Sequence, residues 1–347
     1  KEMLRQIPTK GLGYGALVQT QALLDRLPQV SFNYLGQFGI SPRGTSEEGD
    51  DTWQFVTGPM GEAVPSENRG HLLLNVNGGV QKGQLQFGVI SRLPAELTQT
   101  FVQAFDSSLC AVVKEAVEQA QQGAVKTPSD YGVPELAMST LQRLQSQCDI
   151  EAIYPATSLQ QGFILHHVSQ PDDDAYRVQI LLDYLQALDV EVYKQAWRLA
   201  SLKFPILRTA FNWESEAVQV ISKGVSLTDE KFILEDISHL PEVEKEAAIT
   251  RIQQEDRKTG FDLTQPGLLR IIIIKQADDL YTVMKSEHHS IGDGWSLPVL
   301  FSAVHDFYNQ LKSGQVPEIQ EDTAYLATQE HFQSQKAATE TLSLIHI

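Results

Sequence analysis

His288-His289-Ser290-Ile291-Gly292-Asp293-Gly294-Trp295 is the stretch on which the reading of this chain turns. Before it, Leu269–Lys275 and Asp279–Ser286 carry the apolar and β-branched residues of two strands, joined by a turn at Gln276–Asp278. The first run is apolar almost throughout, which predicts burial on both faces of a sheet. After it, Trp295–Lys312 places Leu300, Val304, Phe307, Tyr308 and Leu311 at helical spacing, and Gly314 follows as a stop. The stretch therefore sits where a buried strand hands over to a helix through an exposed turn. Successive side chains on a strand alternate in direction, so His288 and His289 are expected to point opposite ways and do different jobs. Gly292 and Gly294 are expected to let the backbone turn sharply and bring Asp293 back toward the histidines.

Three chemistries compete for such a pair. The first is a packed pair whose ring nitrogens are satisfied by neighbours. The second is a metal site, since two His and one Asp suit zinc or non-haem iron. Opposed side chains and the lack of a further ligand nearby in sequence count against it. The third is acid–base catalysis by one imidazole, whose ordinary pKa near neutrality suits acyl transfer.

Working outward, residues 150–341 read as one domain. Ser158–Val168, Val190–Lys203 and Glu242–Lys258 carry helical patterns; Tyr176–Tyr184 and Ala217–Ile221 read as strands. Ahead of it, 127–149 reads as an interdomain linker: Thr127-Pro-Ser-Asp-Tyr-Gly-Val-Pro134 has no period, and Ser139–Gln147 is a short helix with Ser139 as its cap. Residues 1–126 form a second domain. Val30–Leu35, His71–Asn77 and Gln84–Ser91 read as strands, the last two separated by a turn at Asn77-Gly78-Gly79. Leu97–Gln119 reads as a helix, and Asp50–Glu67 as a loop.

Composition narrows the function. The chain has 347 residues, 42% hydrophobic and 20% charged, as in an ordinary globular protein with a sizeable core. Its net charge of −17 opposes nucleic acid and anionic membrane surfaces. Cys110 and Cys148 are its two cysteines, too few for a disulfide framework, and they suit a reducing cytoplasm. The longest apolar run, Leu268–Ile274, is too short to cross a membrane and is broken by Arg270. Gly11-x-Gly13-x-Gly15 has the wrong spacing for a dinucleotide loop. His166-His167 reads as packing, Asp172–Asp174 as a solvated loop, and Cys148 has no basic activator nearby.

His288-His289-x-x-x-Asp293-Gly294 resembles the HHxxxDG signature of the condensation domains of nonribosomal peptide synthetases. Other segments, in the family's order, are similar too: Tyr154-Pro-x-x-Ser158-x-Gln160-Gln161-Gly162, Phe204-Pro-x-Leu207-Arg208-Thr209-x-Phe211, and Phe261-Asp262-Leu263 with Leu268-Leu269-Arg270. The region of Tyr325 resembles the next motif weakly. In the first domain, Ile7-Pro8-x-Lys10-Gly11-x-Gly13-Tyr14-Gly15 and Phe32-Asn33-Tyr34-Leu35-Gly36-Gln37-Phe38 resemble motifs near the end of epimerization domains. Thr127–Tyr131 resembles the junction that follows them.

The resemblance implies a mixed α/β (α+β) fold of chloramphenicol-acetyltransferase-like lobes, one partial lobe from each of two related domains. It implies amide formation between carrier-bound peptidyl and aminoacyl thioesters, preceded by L-to-D epimerization at an α-carbon. His289 would deprotonate or position the amine, with His288 packed behind it. Asp293 would hold the loop through an ion pair to Arg208, and Gly294 would admit substrate to the backbone. Asn33 and Tyr34 would line the channel of the epimerization lobe. No cofactor or metal is expected to bind directly, since substrates arrive on phosphopantetheine arms. The implied partners are peptidyl carrier and adenylation domains in the cytoplasm. Two alternatives remain, a free-standing acyl-CoA-type acyltransferase and a non-catalytic carrier-binding module. Lys1 opens inside an amphipathic pattern of Met3, Leu4 and Ile7, and Leu342-Ser-Leu-Ile-His-Ile347 resembles a non-native tail. Both ends are thus expected to be cuts, leaving a fragment that is inactive alone.

Overall fold

A computed structural model describes residues 2–5, 7, 11–14, 28–38, 72–81, 83–122 and 126–345. The chain divides into two units, one of residues 7–125 and one of residues 1–6 with 126–347. The expected loop 50–67, His71, and Pro8, Lys10 and Gly15 lie outside the described residues.

In the first unit, β1 (Val30–Phe38) pairs in parallel with β2 (Leu74–Gln81), which pairs antiparallel with β3 (Gln84–Ser91). The helix α2 (Ala95–Gln122) follows. Phe32 of β1 stacks on Phe87 of β3 at 5.5 Å, and Phe87 meets Phe105 of α2 edge-on at 5.4 Å. The turn expected at Asn77-Gly78-Gly79 is displaced: those residues lie within β2, and Gly83 takes the turn at φ 77°. Gly78 serves close packing instead, since a Cβ there would collide with the Phe87 ring.

The second unit holds two sheets. The larger has the order β5 (Arg177–Tyr184), β10 (Leu280–His288), β9 (Leu269–Ala277), β8 (Phe232–Asp236). β10 runs antiparallel to both neighbours, and β8 is parallel to β9. One face of this sheet, with Ile271, Ile273 and Val283, packs on α5 (Val190–Lys203) and α7 (Ser296–Lys312) through Tyr193, Trp197 and Val304. The other, with Ile272, Ile274 and Met284, packs on α6 (Glu242–Lys258). Cover on both faces explains why β9 reads as a continuous apolar run. The smaller sheet has the order β4 (Ile150–Pro155), β7 (Val218–Ser222), β6 (Thr209–Asn212). Between β4 and β5 runs α4 (Ser158–Ser169), started by a capping box in which Thr157 and Gln160 satisfy each other's amides.

Residues 127–149, expected as a linker, are packed. Pro128 is buried, and the helix α3 (Met138–Gln147) places Leu141 and Leu144 with Val133, Ile153 and Val220 in one core. Its cap position is Ala137, not Ser139. The short helix α1 (Glu2–Arg5) joins this unit through polar contacts. Thr127 and Ser129 donate to the Glu2 carboxylate, and Arg5 pairs with Asp130 at 2.9 Å. Met3 and Leu4 are exposed, contrary to the amphipathic expectation. The last helix, α8 (Ala324–Ile345), is tied to the smaller sheet where Gln219 donates to Gln329 at 3.0 Å. Its backbone continues through the first four residues of the expected tail, 342–345, and 346–347 lie outside the described residues. Among the described residues no helix is long and apolar enough to cross a membrane.

Candidate active site

β10 delivers the site and ends at His288. That ring is buried, 6% exposed, with Phe163 of α4, Phe261 and Tyr176 about it at 6.1, 6.5 and 6.5 Å. The Ser290 amide donates to its Nδ1 at 3.2 Å, and the Ser290 hydroxyl lies 2.9 Å from the same nitrogen. An amide cannot accept, so Nδ1 carries the lone pair and Nε2 the proton. Burial first, then the neighbouring imidazoles, push its pKa down to about 4. His288 is a neutral packing residue.

His289 lies one residue beyond the strand, half-buried. Its amide donates to the Tyr176 carbonyl at 2.9 Å. Its Nδ1 lies 2.7 Å from the Gly292 carbonyl oxygen. A carbonyl can only accept, so Nδ1 carries a proton, and in the neutral ring the lone pair is on Nε2. In their neutral forms the two histidines are thus opposite tautomers. The reason is not strand alternation. The strand has ended before His289, and both rings meet Phe163, at 6.1 and 5.6 Å.

The expected Asp293–Arg208 pair does not form. Asp293 is exposed, and its Oδ1 accepts the amides of Ser296 at 2.8 Å and Trp295 at 3.1 Å. Those local bonds, the Ser296 amide foremost, hold its carboxyl below the usual range and fix the turn that leads into α7. Arg208, 2% exposed, donates to the carbonyls of Ser222, Ser201 and Leu202 at 3.0, 3.2 and 2.9 Å. Its Nη2 reaches Glu151 at 2.7 Å and Glu321 at 2.5 Å. Its fork is filled without Asp293. Burial, with Glu321 close by, pushes the Glu151 carboxyl up despite the guanidinium.

The glycines also differ from expectation, for neither Gly292 nor Gly294 is at positive φ. A Cβ on Gly294 would meet nothing within 4 Å, whereas one on Gly292 would stand 3.1 and 3.2 Å from the Glu287 carboxylate oxygens. Glu287 pairs with Lys285 at 2.5 Å, with side chains 6% and 2% exposed. Neither residue was singled out in the sequence. The available signal was two charges two apart in a strand, which places both on one face. Beside them a cavity of about 200 Å³ is lined by Glu287, Gly292, Ser296, Phe204, Leu207 and Tyr325.

On the far side of His288, His166, His167, Tyr176 and Arg177 surround a void of about 20 Å³. His166 lies 3.2 Å from Asp173, and burial pushes the His167 pKa down. Among the described residues no group of three His, Cys, Asp or Glu side chains is arranged to hold a metal ion. Cys148 is half-buried and its thiol pushed up by burial, which makes it a poor nucleophile. Asn33 and Tyr34 belong to the other unit, adjacent on β1 and exposed.

Residues 150–343 match the family model described as "Condensation domain". The chain belongs to the condensation-domain family. This domain takes the chloramphenicol-acetyltransferase-like α/β fold of that family, in line with the two-sheet unit above. The chain is 32% identical over 348 aligned residues to one of the linear gramicidin synthase proteins of Brevibacillus parabrevis, covering 94% of this chain and 6% of the relative. It is 38% identical to the N-(5-amino-5-carboxypentanoyl)-L-cysteinyl-D-valine synthase of Amycolatopsis lactamdurans over 52% of this chain and 5% of that protein. A crystal structure of the starter condensation domain of rhizomide synthetase aligns with TM-score 0.47 at 20% identity, covering 56% of this chain and 50% of that one. The chain therefore spans a small part of the curated relatives it matches, and its condensation domain is one of the nonribosomal-peptide-synthetase kind.

Proposed function

We propose that this condensation domain joins a carrier-bound peptidyl thioester to a carrier-bound aminoacyl thioester, with His289 handling the proton. The observation that carries the reading is the 2.7 Å contact of His289 Nδ1 with the Gly292 carbonyl oxygen, which in the neutral ring leaves the lone pair on Nε2. An α-amine has a pKa near 8 and must lose a proton as it attacks. The amine nitrogen bonds to the thioester carbonyl carbon while His289 Nε2 takes its proton. The C–S bond then breaks, and the proton passes to the departing thiolate, which leaves as the carrier thiol. His288, neutral and buried, holds the strand end and takes no proton at working pH. Asp293 fixes the start of α7, and Gly294 leaves its side of the turn open for substrate.

Residues 1–126 are read as the C-terminal lobe of an epimerization domain, with Asn33 and Tyr34 lining its channel. The support is their resemblance to that family's closing motifs. The donor would then end in a D-residue. The substrates come on phosphopantetheine arms of carrier domains, charged by adenylation domains, in a cytoplasm that keeps those thiols reduced. On this reading the 347-residue chain alone is inactive, because the channel lies between two lobes of each domain.

The test is single-turnover peptide formation in the parent synthetase with loaded carriers. His289→Ala should slow amide formation by about 10²–10⁴-fold. Unchanged rates in that variant would remove His289 from the chemistry.

A further inference from the structure

We propose that the buried Lys285–Glu287 pair is the positioning device for His289, acting through Gly292. Glu287 lines the cavity together with Gly292, and its partner Lys285 lies beside it on the same face of β10; the two side chains are 6% and 2% exposed. Buried ions are costly unless paired, so neither carboxylate nor ammonium can leave without the other. The Glu287 carboxylate therefore has a fixed place. Gly292 rests against it so closely that any side chain would intrude, at 3.1 and 3.2 Å from the two oxygens. The carbonyl of the same Gly292 receives the His289 Nδ1 proton at 2.7 Å. The order of contact is Lys285 Nζ, Glu287 carboxylate, Gly292 backbone, His289 Nδ1. Its consequence is that the neutral ring keeps its lone pair on Nε2. The inference rests on the reading of His289 as the base, since only then does its tautomer matter for rate.

Glu287 and Lys285 touch no reacting atom on this account; they are positioning residues. The readout must therefore be the ring itself. The 347-residue chain, labelled with nitrogen-15 at histidine, reports each ring's tautomer through long-range proton–nitrogen couplings, and His289→Gln assigns the signal. In the unsubstituted chain, His289 should show a single tautomer with Nδ1 protonated. Lys285→Met with Glu287→Ala removes both charges and the wall together, stranding neither ion. The His289 signal should then become a mixture of both tautomers while the His288 signal stays put. Gly292→Ala should by itself give the same mixture, because the methyl meets the carboxylate. Adding Glu287→Ala and Lys285→Met to Gly292→Ala should not worsen it.

A His289 ring that is not Nδ1-protonated in the unsubstituted chain would overturn the proposal. So would a ring that keeps one tautomer in Gly292→Ala, a variant that needs no buried charge removed. If the ring behaves as proposed while His289→Ala in the parent synthetase condenses at the full rate, the positioning stands and the base reading falls.

Discussion

His288 and His289 are neighbours in sequence, yet one nitrogen of each ring is committed in the opposite sense, and most of the site's chemistry follows. His288 accepts an amide on Nδ1 and is buried, so its protonated form is favoured in the unfolded chain. Its folded pKa, about 4, lies below the ordinary value of about 6.5. Stability is therefore complete above pH 6.5 and is lost as pH falls from there toward 4, by up to about 3 kcal/mol. His167, shifted in the same direction by burial, adds to the loss. Denaturant melts between pH 7 and pH 4 should show this slope, and His288→Gln should flatten it; an unchanged slope in that variant would place the titration elsewhere. Asp293 and Arg208 work separately. Asp293→Ala removes the two local bonds to the Trp295 and Ser296 amides ahead of α7, costing about 1 kcal/mol. Arg208→Ala strands buried carbonyls and Glu151, costing about 3–5 kcal/mol. The double variant should lose the sum, and a coupling well above 0.5 kcal/mol would mean the two residues do meet.

At the scale of elements, the strands and helices around the histidines follow from period and apolar content. β9, β10, α5 and α7 lie within a few residues of where their patterns place them. Several strands that escaped notice are short: β6 has four residues, β8 five and β4 six, too few for a period to declare itself. The 22-residue α8 escaped because its sequence is largely polar, and no clear apolar stripe announces it. Residues 127–149 misled for another reason. Prolines and a polar surface suggest a connector, but Leu141 and Leu144 on one side of α3 complete a core that exists only once β4 and β7 have paired. Leu141→Ala should therefore destabilise the second unit by about 2–5 kcal/mol. A residue in a true linker would cost nothing measurable by the same melt. His288, His289, Asp293 and Gly294 stood out in the sequence by residue type and spacing, and the structure places them together at the end of β10 and in the turn that follows. Which partner each side chain takes was not legible, since Ser290, Ser296 and Glu321 are ordinary residues until the turn brings them close. The Lys285–Glu287 pair was missed because a strand that buries both faces is judged by its apolar residues.

For the whole molecule, the family match over 150–343 and the opposed tautomers support one account. On the proposed account, the condensation domain frees an amine with His289 while His288 stays neutral and structural. The most direct test is single-turnover peptide formation in the parent synthetase with both carriers loaded, comparing His289→Ala and His288→Ala alongside their melting midpoints. The account predicts a loss of about 10²–10⁴-fold for His289→Ala at unchanged stability, and for His288→Ala a lowered midpoint with a rate much nearer the original. Full condensation by a stably folded His289→Ala enzyme would contradict it.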